Sequence, residues 1–244
     1  MKGHLSVVST GPGDEGNLTP RSREELLMAE VIAGYGTYLD QISSLLEGKT
    51  VISTGMRDEA GRCNEALKQA RSGKRVCLIS GGDAGVYGLS GLMLELMTPE
   101  EQADLLVIPG VTSATACAAL LGAPLIHDFA VISLSNLLTE DSLIEKRLRL
   151  AAEGDFVTIL YNPRSTKRHH LFSRAAEIYL GHRAPEIPVG LVRNAYREEQ
   201  RIAVVPLDEL NSCDWVDMHT TVVIGNSQTF ISGGRMITPR GYAL

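Results

Sequence analysis

Residues 75–88 read RVCLISGGDAGVYG, and this segment gives the clearest indication of how the chain folds. Its first part, Arg75–Ile79, is a short apolar run of the kind that forms a buried strand. Its second part, Ser80–Gly88, is rich in glycine, which predicts a loop whose backbone a ligand can approach closely. A strand that ends in such a loop is typical of a sheet whose strands alternate with helices.

The same alternation extends from this segment through the first half of the chain. Further strands are predicted at 5–9, 31–33, 50–54 and 105–108. A helix should begin at Pro20 with Thr19 as its N-cap and continue to about Ala29, because these residue types suit those positions. Another helix is predicted over 59–72, before Gly73, and an alanine-rich one ends at Leu121. These elements predict a mostly parallel sheet covered by helices.

The second half has fewer helices for each strand, which favours a mixed sheet with antiparallel hairpins. Its strands are predicted at 130–134, 156–161, 187–192, 202–206 and 220–224, and its helices at 141–152 and 166–180. The alternation pauses at 122–128. The sequence therefore predicts an α/β protein with two domains, residues 1–124 and 125–244.

Composition excludes several classes of protein. The formal charge of -6 argues against sequence-independent binding of nucleic acid, which needs a basic surface. No apolar run approaches the roughly 18 residues of a membrane span, and Met1–Thr10 lacks the layout of a signal peptide. The cytoplasm is therefore the expected location. The scattered cysteines are interpreted as core thiols rather than a metal site or disulfide framework: Cys63, Cys77, Cys117 and Cys213.

Residues 11–16, GPGDEG, match the G-x-G-x-x-G pattern of dinucleotide-binding proteins. In those proteins the helix opens within the motif, so that its N-terminus faces the pyrophosphate. Here the predicted helix begins several residues later, at Pro20. The second strand also ends in Ala33-Gly34-Tyr35, without the acidic residue that holds the ribose. The sequence therefore predicts no nicotinamide or flavin site.

Glycine-rich loops nevertheless follow three of the predicted strands, at 11–14, 80–88 and 109–113. Taken singly, each is an ordinary tight turn. Because the carboxyl ends of parallel strands share one edge, where open α/β sheets bind ligands, the three loops together predict a binding site.

Read in order, these loops and two later segments resemble the tetrapyrrole methylase family, which uses S-adenosylmethionine. The matching segments are Gly11–Asp14, Ser80–Gly88, Pro109–Ala114, Tyr161–Ser165 and Val223–Asn226. The resemblance implies two αβα domains with the cofactor in a cleft between them, and a homodimer. This chain has Gly82-Asp83-Ala84 where the family often has Gly-Asp-Pro.

Other stretches resemble the branch of this family that methylates C17 of precorrin-3B or its cobalt-bound equivalent. They are Gly34–Tyr38, Thr54–Met56, His127–Phe129, Ser133–Ser135 and Met236–Tyr242. The resemblance implies C17 methylation coupled to contraction of the macrocycle, in cobalamin biosynthesis. The route, oxygen-dependent or early-cobalt, stays open.

The resemblance also implies a set of cofactor-binding positions where the motifs match. They are Pro12, Gly81, Gly82, Asp83, Val86, Tyr87, Thr112, Ser113, Asn162, Ala195 and Thr221. Asp83 is expected to pair with a polar or cationic part of the cofactor; the alternative is that it caps the following helix. Tyr87 and Tyr161 either line the site or are packing residues.

A tetrapyrrole with acetate and propionate groups calls for arginine, whose planar fork suits carboxylates. Arg57, Arg164 and Arg193 are the predicted substrate-binding residues; Lys167, Arg168 and Arg197 belong to the same group of cations that follow strands.

Ring contraction needs proton movement, so a general acid or base is expected, and His127 and Asp128 are the candidates. The alternative for His127 is a hydrogen-bonded structural histidine. His169-His170 is interpreted as a surface pair rather than a contact to cobalt, and no spacing predicts a protein metal site.

Two alternatives to C17 methylation stay open. One is a sibling methylase that acts at another ring carbon, or on a protein. The other is a non-catalytic module that binds a tetrapyrrole.

Overall fold

The computed structural model describes residues 3–55, 58–165 and 169–243. These residues form two compact units, Met1–Ser113 and Ala114–Leu244. The boundary predicted after residue 124 lies beyond the alanine-rich helix, whereas the units divide at the start of that helix. The predicted domain assignment stays a prediction.

The first unit contains a five-stranded sheet in which every pair of neighbours is parallel. Its strands are β1 (His4–Ser9), β2 (Val31–Tyr35), β3 (Thr50–Thr54), β4 (Arg75–Ser80) and β5 (Leu106–Ile108). Their order across the sheet is β3-β2-β4-β1-β5. The carboxyl ends of all five strands therefore lie at one edge, which we call the first carboxyl edge.

Helices cover both faces of this sheet. They are α1 (Pro20–Met28), α2 (Gly36–Asp40), α3 (Glu59–Arg71), α4 (Ser90–Leu96) and α5 (Pro99–Gln102). Leu5, Val7 and Leu78 pack with α3 and α4, whereas the alternate residues Val8 and Ile79 pack with α1 and α2. This alternation, which follows from the two-residue period of a strand, makes the unit a three-layered αβα structure.

The start of α1 is as predicted. Thr19 accepts a hydrogen bond from the Ser22 amide at 3.1 Å through its hydroxyl, and Pro20 is the first helical residue. The helix thus begins after the GPGDEG segment, which ends at Gly16. The helix therefore does not open within the motif, as it does in dinucleotide-binding proteins.

The second unit begins within α6 (Ser113–Leu121) and contains a mixed sheet. Its further elements are β6 (Gly122–Ala123), β7 (Phe129–Ser133), α7 (Asp141–Glu153), β8 (Val157–Tyr161), α8 (His170–Leu180), β9 (Pro188–Arg193), β10 (Arg201–Pro206), β11 (Thr220–Ile224), β12 (Phe230–Ser232) and β13 (Arg235–Ile237). The main sheet has the order β10-β9-β11-β8-β7, and a small sheet has the order β12-β13-β6.

In the main sheet of the second unit, β7 and β8 are parallel, whereas β8 and β9 each run antiparallel to β11. The carboxyl ends of β7, β8 and β9 and the amino end of β11 therefore meet at one edge, which we call the second carboxyl edge. Helices α7 and α8 pack on one face of the sheet, and α6 packs on the other. The α/β class, with a parallel first sheet and a mixed second sheet, is confirmed.

The cysteines take part in packing. Cys63, Cys77 and Cys117 are buried free thiols, and Cys213 is half-buried, which confirms the core interpretation for the first three. Burial raises the pKa of the Cys117 thiol to about 11, and a hydrogen bond with Thr221 acts in the opposite direction. In the described ranges, no helix combines the length and apolar character that crossing a bilayer demands.

Candidate ligand-binding site

The loops at the first carboxyl edge are joined by their backbones. The Gly11 amide donates to the Gly82 carbonyl at 3.1 Å, and the Gly82 amide donates to the Gly11 carbonyl at 2.7 Å. Gly11 has φ +74° and Gly82 has φ +66°, a region that glycine enters at little cost. The glycine positions of two separate motifs therefore form one structural unit.

Asp83 connects this unit to a third loop. Its Oδ1 accepts from the Gly85 amide at 2.8 Å, and its Oδ2 accepts from the Gly110 amide at 2.8 Å. Helix α4 begins later, at Ser90, and Leu89 at its N-cap has no side-chain cap bond. The alternative that Asp83 caps the following helix is therefore wrong: its carboxylate fixes two loops instead.

The third loop lies against the second closely enough to require glycine. A Cβ atom on Gly110 would be 2.6 Å from the Gly82 carbonyl oxygen, whereas one on Gly82 would be 3.8 Å from the Ser113 amide nitrogen and Thr112 Cα. Ser9 also links the loops, because its hydroxyl donates to the Ile108 carbonyl at 2.6 Å and accepts from the Ala84 amide at 2.8 Å. Gly82, Asp83, Thr112 and Ser113 are thus brought together.

The ring of Tyr38 packs against Gly81, and a Cβ atom on Gly81 would overlap with Cζ of that ring. Pro12 directly follows the Gly11–Gly82 bridge and is buried. Val86 is half-buried, and Tyr87 is 61 % exposed with φ 54°. A tyrosine in this left-handed region is uncommon, and such conformations concentrate at functional sites.

In the second unit, the predicted cofactor residues all lie at the same edge of the main sheet. Asn162 follows β8, Ala195 follows β9, and Thr221 lies at the start of β11, so all three belong to the second carboxyl edge. Asn162 has φ 54° and donates through Nδ2 to the Ser133 hydroxyl, at the end of β7, at 2.9 Å. The Tyr161 hydroxyl accepts from the Ala114 amide at 2.6 Å, which gives this tyrosine a structural contact.

The loop after β9 is conformationally unusual. Asn194, Tyr196 and Glu199 all have positive φ values, between 52° and 58°. Such conformations cost of order 1–3 kcal/mol each and persist where the surroundings fix them. The strained residues Asn162 and Asn194 both lie at the second carboxyl edge.

The predicted substrate arginines have different surroundings. Arg193 donates from Nε to Asp217 Oδ2 at 2.8 Å and is partly exposed. Arg164 donates to the Cys213 carbonyl at 3.1 Å and stacks over Phe172 at 4.4 Å. Arg164 thus has structural partners within its own unit. Arg57, Lys167 and Arg168 lie outside the described residues.

His127 and Asp128 lie at the other end of the second sheet. They precede β7, and the Asp128 carbonyl accepts from the Val157 amide, at the start of β8, at 3.2 Å. Asn162 follows the last residue of β8, so the strand, at about 3.3 Å per residue, separates the two positions by roughly 16 Å. The structure does not bring His127 and Asp128 together with Asn162, and their catalytic role stays a prediction.

His170 Nε2 donates to Asp141 Oδ2 at 2.7 Å, and both side chains are exposed. His169 is the N-cap residue of the same helix, α8, and is exposed. Within the described parts of the chain, no group of three or more His, Cys, Asp or Glu side chains has an arrangement that could hold a metal ion.

The sequence interpretation did not include Ser9, Arg62 and Asp217. Ser9 is fully enclosed at the end of β1, and Arg62 is a buried arginine near the end of β3. Asp217 accepts from Arg193 and from the Thr220 hydroxyl. A polar residue at the end of an apolar strand was the available signal for Ser9, whereas the burial of Arg62 depends on tertiary packing.

The parallel first sheet and its linked strand-end loops define an α/β protein whose loops meet at the carboxyl edge, where open sheets of this class bind ligands. The chain belongs to the Tetrapyrrole (Corrin/Porphyrin) Methylases, whose family model matches residues 4–211. It is 46 % identical over 247 residues to the "Cobalt-factor III methyltransferase" of Priestia megaterium, and 43 % identical over 241 residues to the "Probable cobalt-factor III C(17)-methyltransferase" of Salmonella typhimurium. These relatives confirm the resemblance to the C17 branch.

These alignments cover 99 % and 98 % of the chain. The chain spans about half the length of the Priestia relative (46 %) and the full length of the Salmonella one (100 %).

Two solved structures agree with the fold. The crystal structure of the methyltransferase CobJ superposes with a TM-score of 0.89 at 38 % identity, over 97 % of this chain and 100 % of that one. The uroporphyrin-III C-methyltransferase of Thermus thermophilus, complexed with S-adenosylhomocysteine, has a TM-score of 0.70 at 23 % identity, over 91 % and 92 %. The second likeness concerns the fold alone.

Proposed function

We propose that this protein transfers a methyl group from S-adenosylmethionine to C17 of precorrin-3B or its cobalt-bound equivalent, coupled to ring contraction in cobalamin biosynthesis. The observation that carries the proposal is the set of loops joined through Gly11, Gly82, Asp83 and Gly110. It occurs in a chain whose relatives are named for cobalt-factor III methylation.

The residues at the first carboxyl edge fit a ligand of this kind. The amide and carbonyl groups of glycine-rich loops can meet the polar ends of the cofactor, and the absence of Cβ atoms lets it approach. When bound, the cofactor supplies an activated methyl group on a sulfonium. The residues assigned to it in this unit are Pro12, Gly81, Gly82, Asp83, Val86, Tyr87, Thr112 and Ser113; Asn162, Ala195 and Thr221 stay part of the proposal.

Positioning is the main contribution that these residues make. Because the donor is already activated, holding it in line with the acceptor carbon can supply on the order of 7–11 kcal/mol of the barrier. Loops joined by hydrogen bonds can hold such a geometry better than separate turns. Asp83 acts in this scheme through the Gly110 and Gly85 amides that it fixes.

The finer parts of the proposal concern substrate contacts, assembly and location. Arg57 and Arg193 are assigned to substrate carboxylates, and Arg193 would exchange its bond with Asp217 for one with substrate. Arg164 is assigned to the substrate carboxylates as well, because of its positive charge. His127 and Asp128 are assigned to proton movement during contraction. A homodimer in the cytoplasm completes the proposal.

The test is methyl transfer from labelled S-adenosylmethionine to precorrin-3B and to cobalt-factor III in separate reactions. We expect label at C17 of one macrocycle. Label at another carbon would indicate a sibling methylase, and binding of both ligands without transfer would indicate a non-catalytic module. Either result would contradict the proposal.

A matched pair of glycine variants ties that activity to the loops. Gly110→Ala should abolish most transfer, because its methyl group would overlap the Gly82 carbonyl. Gly91→Ala is the matched control: like Gly110, Gly91 has no positive φ, but nothing lies within 4 Å of the new atom, so transfer should persist. Equal activity in both variants would separate the reaction from these loops.

A further inference from the structure

Arg62 is a nearly enclosed cation at the first carboxyl edge, with 4 % of its surface exposed. It lies in the first turn of α3 and reaches back to the end of β3. Its Nε donates to the Thr54 hydroxyl at 2.8 Å, and its Nη2 donates to the Gly55 carbonyl at 3.0 Å. The guanidinium carbon lies 6.0 Å from the centre of the Tyr35 ring.

No carboxylate of the described residues lies within ion-pair distance of Arg62. The partly buried Arg75 in the same unit, by contrast, pairs with Glu25 at 2.7 Å. An enclosed charge without an opposite charge is costly, and proteins usually compensate for it. The contacts of Arg62 satisfy hydrogen bonds but leave its charge without a counter-ion.

One end of the guanidinium remains available. The two hydrogen bonds use Nε and Nη2. Nη1 has no hydrogen bond among the described residues. It differs from Nε of Arg75 and of Arg164, which are unpartnered and fully enclosed, because it is not fully enclosed itself. Nη1 therefore keeps access to solvent, while Nε and Nη2 hold the group in a fixed orientation.

This orientation is set at the same edge as the cofactor loops. Tyr35 meets Tyr38 edge to face, with ring centres 5.5 Å apart, and Tyr38 rests on Gly81. A chain of contacts therefore runs from Arg62 through two aromatic rings to the glycine-rich loop. These tyrosines belong to the Gly34–Tyr38 segment on which the resemblance to the C17 branch rests.

We propose that Arg62 binds a carboxylate of the tetrapyrrole substrate through Nη1, and that this carboxylate is its missing counter-ion. The inference rests on the proposed function, since it assigns one contact to that substrate. Arginine that is already fixed loses little conformational freedom when it binds a carboxylate. Arg62 would thereby help to select a macrocycle with acidic side chains.

The test is binding of uroporphyrin III, a stable tetrapyrrole with acetate and propionate side chains. Binding is measured by the quenching of its fluorescence. Arg62→Gln should weaken binding about 10-fold to 100-fold, as expected for loss of one charge-assisted hydrogen bond. Its affinity should also depend less on salt, because one ionic contact is gone. The affinity for S-adenosylhomocysteine should stay unchanged.

The control is Arg71→Gln, at the last residue of the same helix. Arg71 is half-exposed and pairs with Glu101 at 2.7 Å, away from the carboxyl edge. Its loss should alter neither porphyrin affinity nor the salt dependence. If Arg62→Gln and Arg71→Gln bind the porphyrin alike, the proposal is wrong.

Two further measurements cover the case in which Arg62→Gln does not fold. Arg62→Lys keeps the charge and should retain most of the salt dependence. In the unaltered protein, uroporphyrin III should slow hydrogen exchange of the amides around Thr54, Gly55 and Arg62; unchanged exchange there would overturn the proposal. Methyl transfer is measured with the unaltered protein and does not depend on the variants. If transfer occurs but hydrogen exchange is unchanged, the Arg62 proposal fails and the proposed function stands.

Discussion

The two carboxylate oxygens of Asp83 are both engaged by backbone amides of its own unit. This arrangement changes how the residue is understood, because a carboxylate that fixes two loops can govern ligand affinity without touching the ligand. The type of residue and its place after a strand were evident from the sequence. Its partner Gly110 was not, because that contact joins residues far apart in the chain.

Asp83→Ala should weaken binding of S-adenosylhomocysteine about tenfold, measured by calorimetry. The reason is that two backbone amides lose a charged acceptor, which costs about 1–3 kcal/mol and loosens both loops. Glu30→Ala is the matched control, since Glu30 accepts from the Arg75 amide at 2.7 Å at the amino end of the same sheet. A similar loss of affinity in both variants would show that the effect is general destabilisation.

Helix α5 is short, and its stability depends on reciprocal capping. Thr98 accepts from the Glu101 amide, and Glu101 accepts from the Thr98 amide. The pKa of Glu101 is lowered to about 2. The hydrogen bond from Arg71 is the largest cause, and the hydrogen bond from the Thr98 amide is the next. A carboxylate with a lowered pKa stabilises the folded state above its unfolded pKa, and this stabilisation is lost as the pH falls through the folded value.

Glu101→Gln should therefore lower the free energy of unfolding by about 1 kcal/mol at neutral pH. The difference from the unaltered protein should shrink as the pH falls from about 4.5 towards 2, because protonation removes the same interactions. Denaturant unfolding at a series of pH values measures it. Glu47→Gln, at an exposed position, should show no such trend; a constant difference for Glu101→Gln would contradict the assignment.

Elements with strong local signals were the predictable ones. The apolar runs before glycine-rich loops became the parallel strands, and the Thr19–Pro20 pair marked the start of α1. The two-residue strand β6 pairs with β13, over a hundred residues later, and no local pattern indicates such a pairing. In the site, residue types at strand ends were predictable, whereas the burial of Arg62 and the contact between Asp217 and Arg193 depend on tertiary structure.

The buried thiols allow unfolding of each unit to be followed in the whole molecule. Burial raises the pKa of Cys63, Cys77 and Cys117 to about 11. Because the thiolate is the reactive species, only roughly a thousandth of each is reactive at pH 8, in addition to its steric protection. Cys63 and Cys77 belong to the first unit and Cys117 to the second.

In the native protein at pH 8, an aromatic disulfide reagent should react first at the half-buried Cys213. Cys213→Ser should remove this early phase. With rising denaturant, mass spectrometry of labelled peptides should show whether Cys63 and Cys77 become reactive together with Cys117 or separately. Fast labelling of Cys117 in the absence of denaturant would contradict its burial.

The position of β1 between β4 and β5 in the first sheet has a consequence for synthesis on the ribosome. This strand pairs with β4 and β5, so residue 4 meets residue 75 and residue 6 meets residue 106. Pairings between distant residues form slowly and leave strand edges exposed in the meantime. The first strand therefore emerges without either of its partners, and the nascent chain is most exposed to aggregation or to chaperones until β4 has left the exit tunnel.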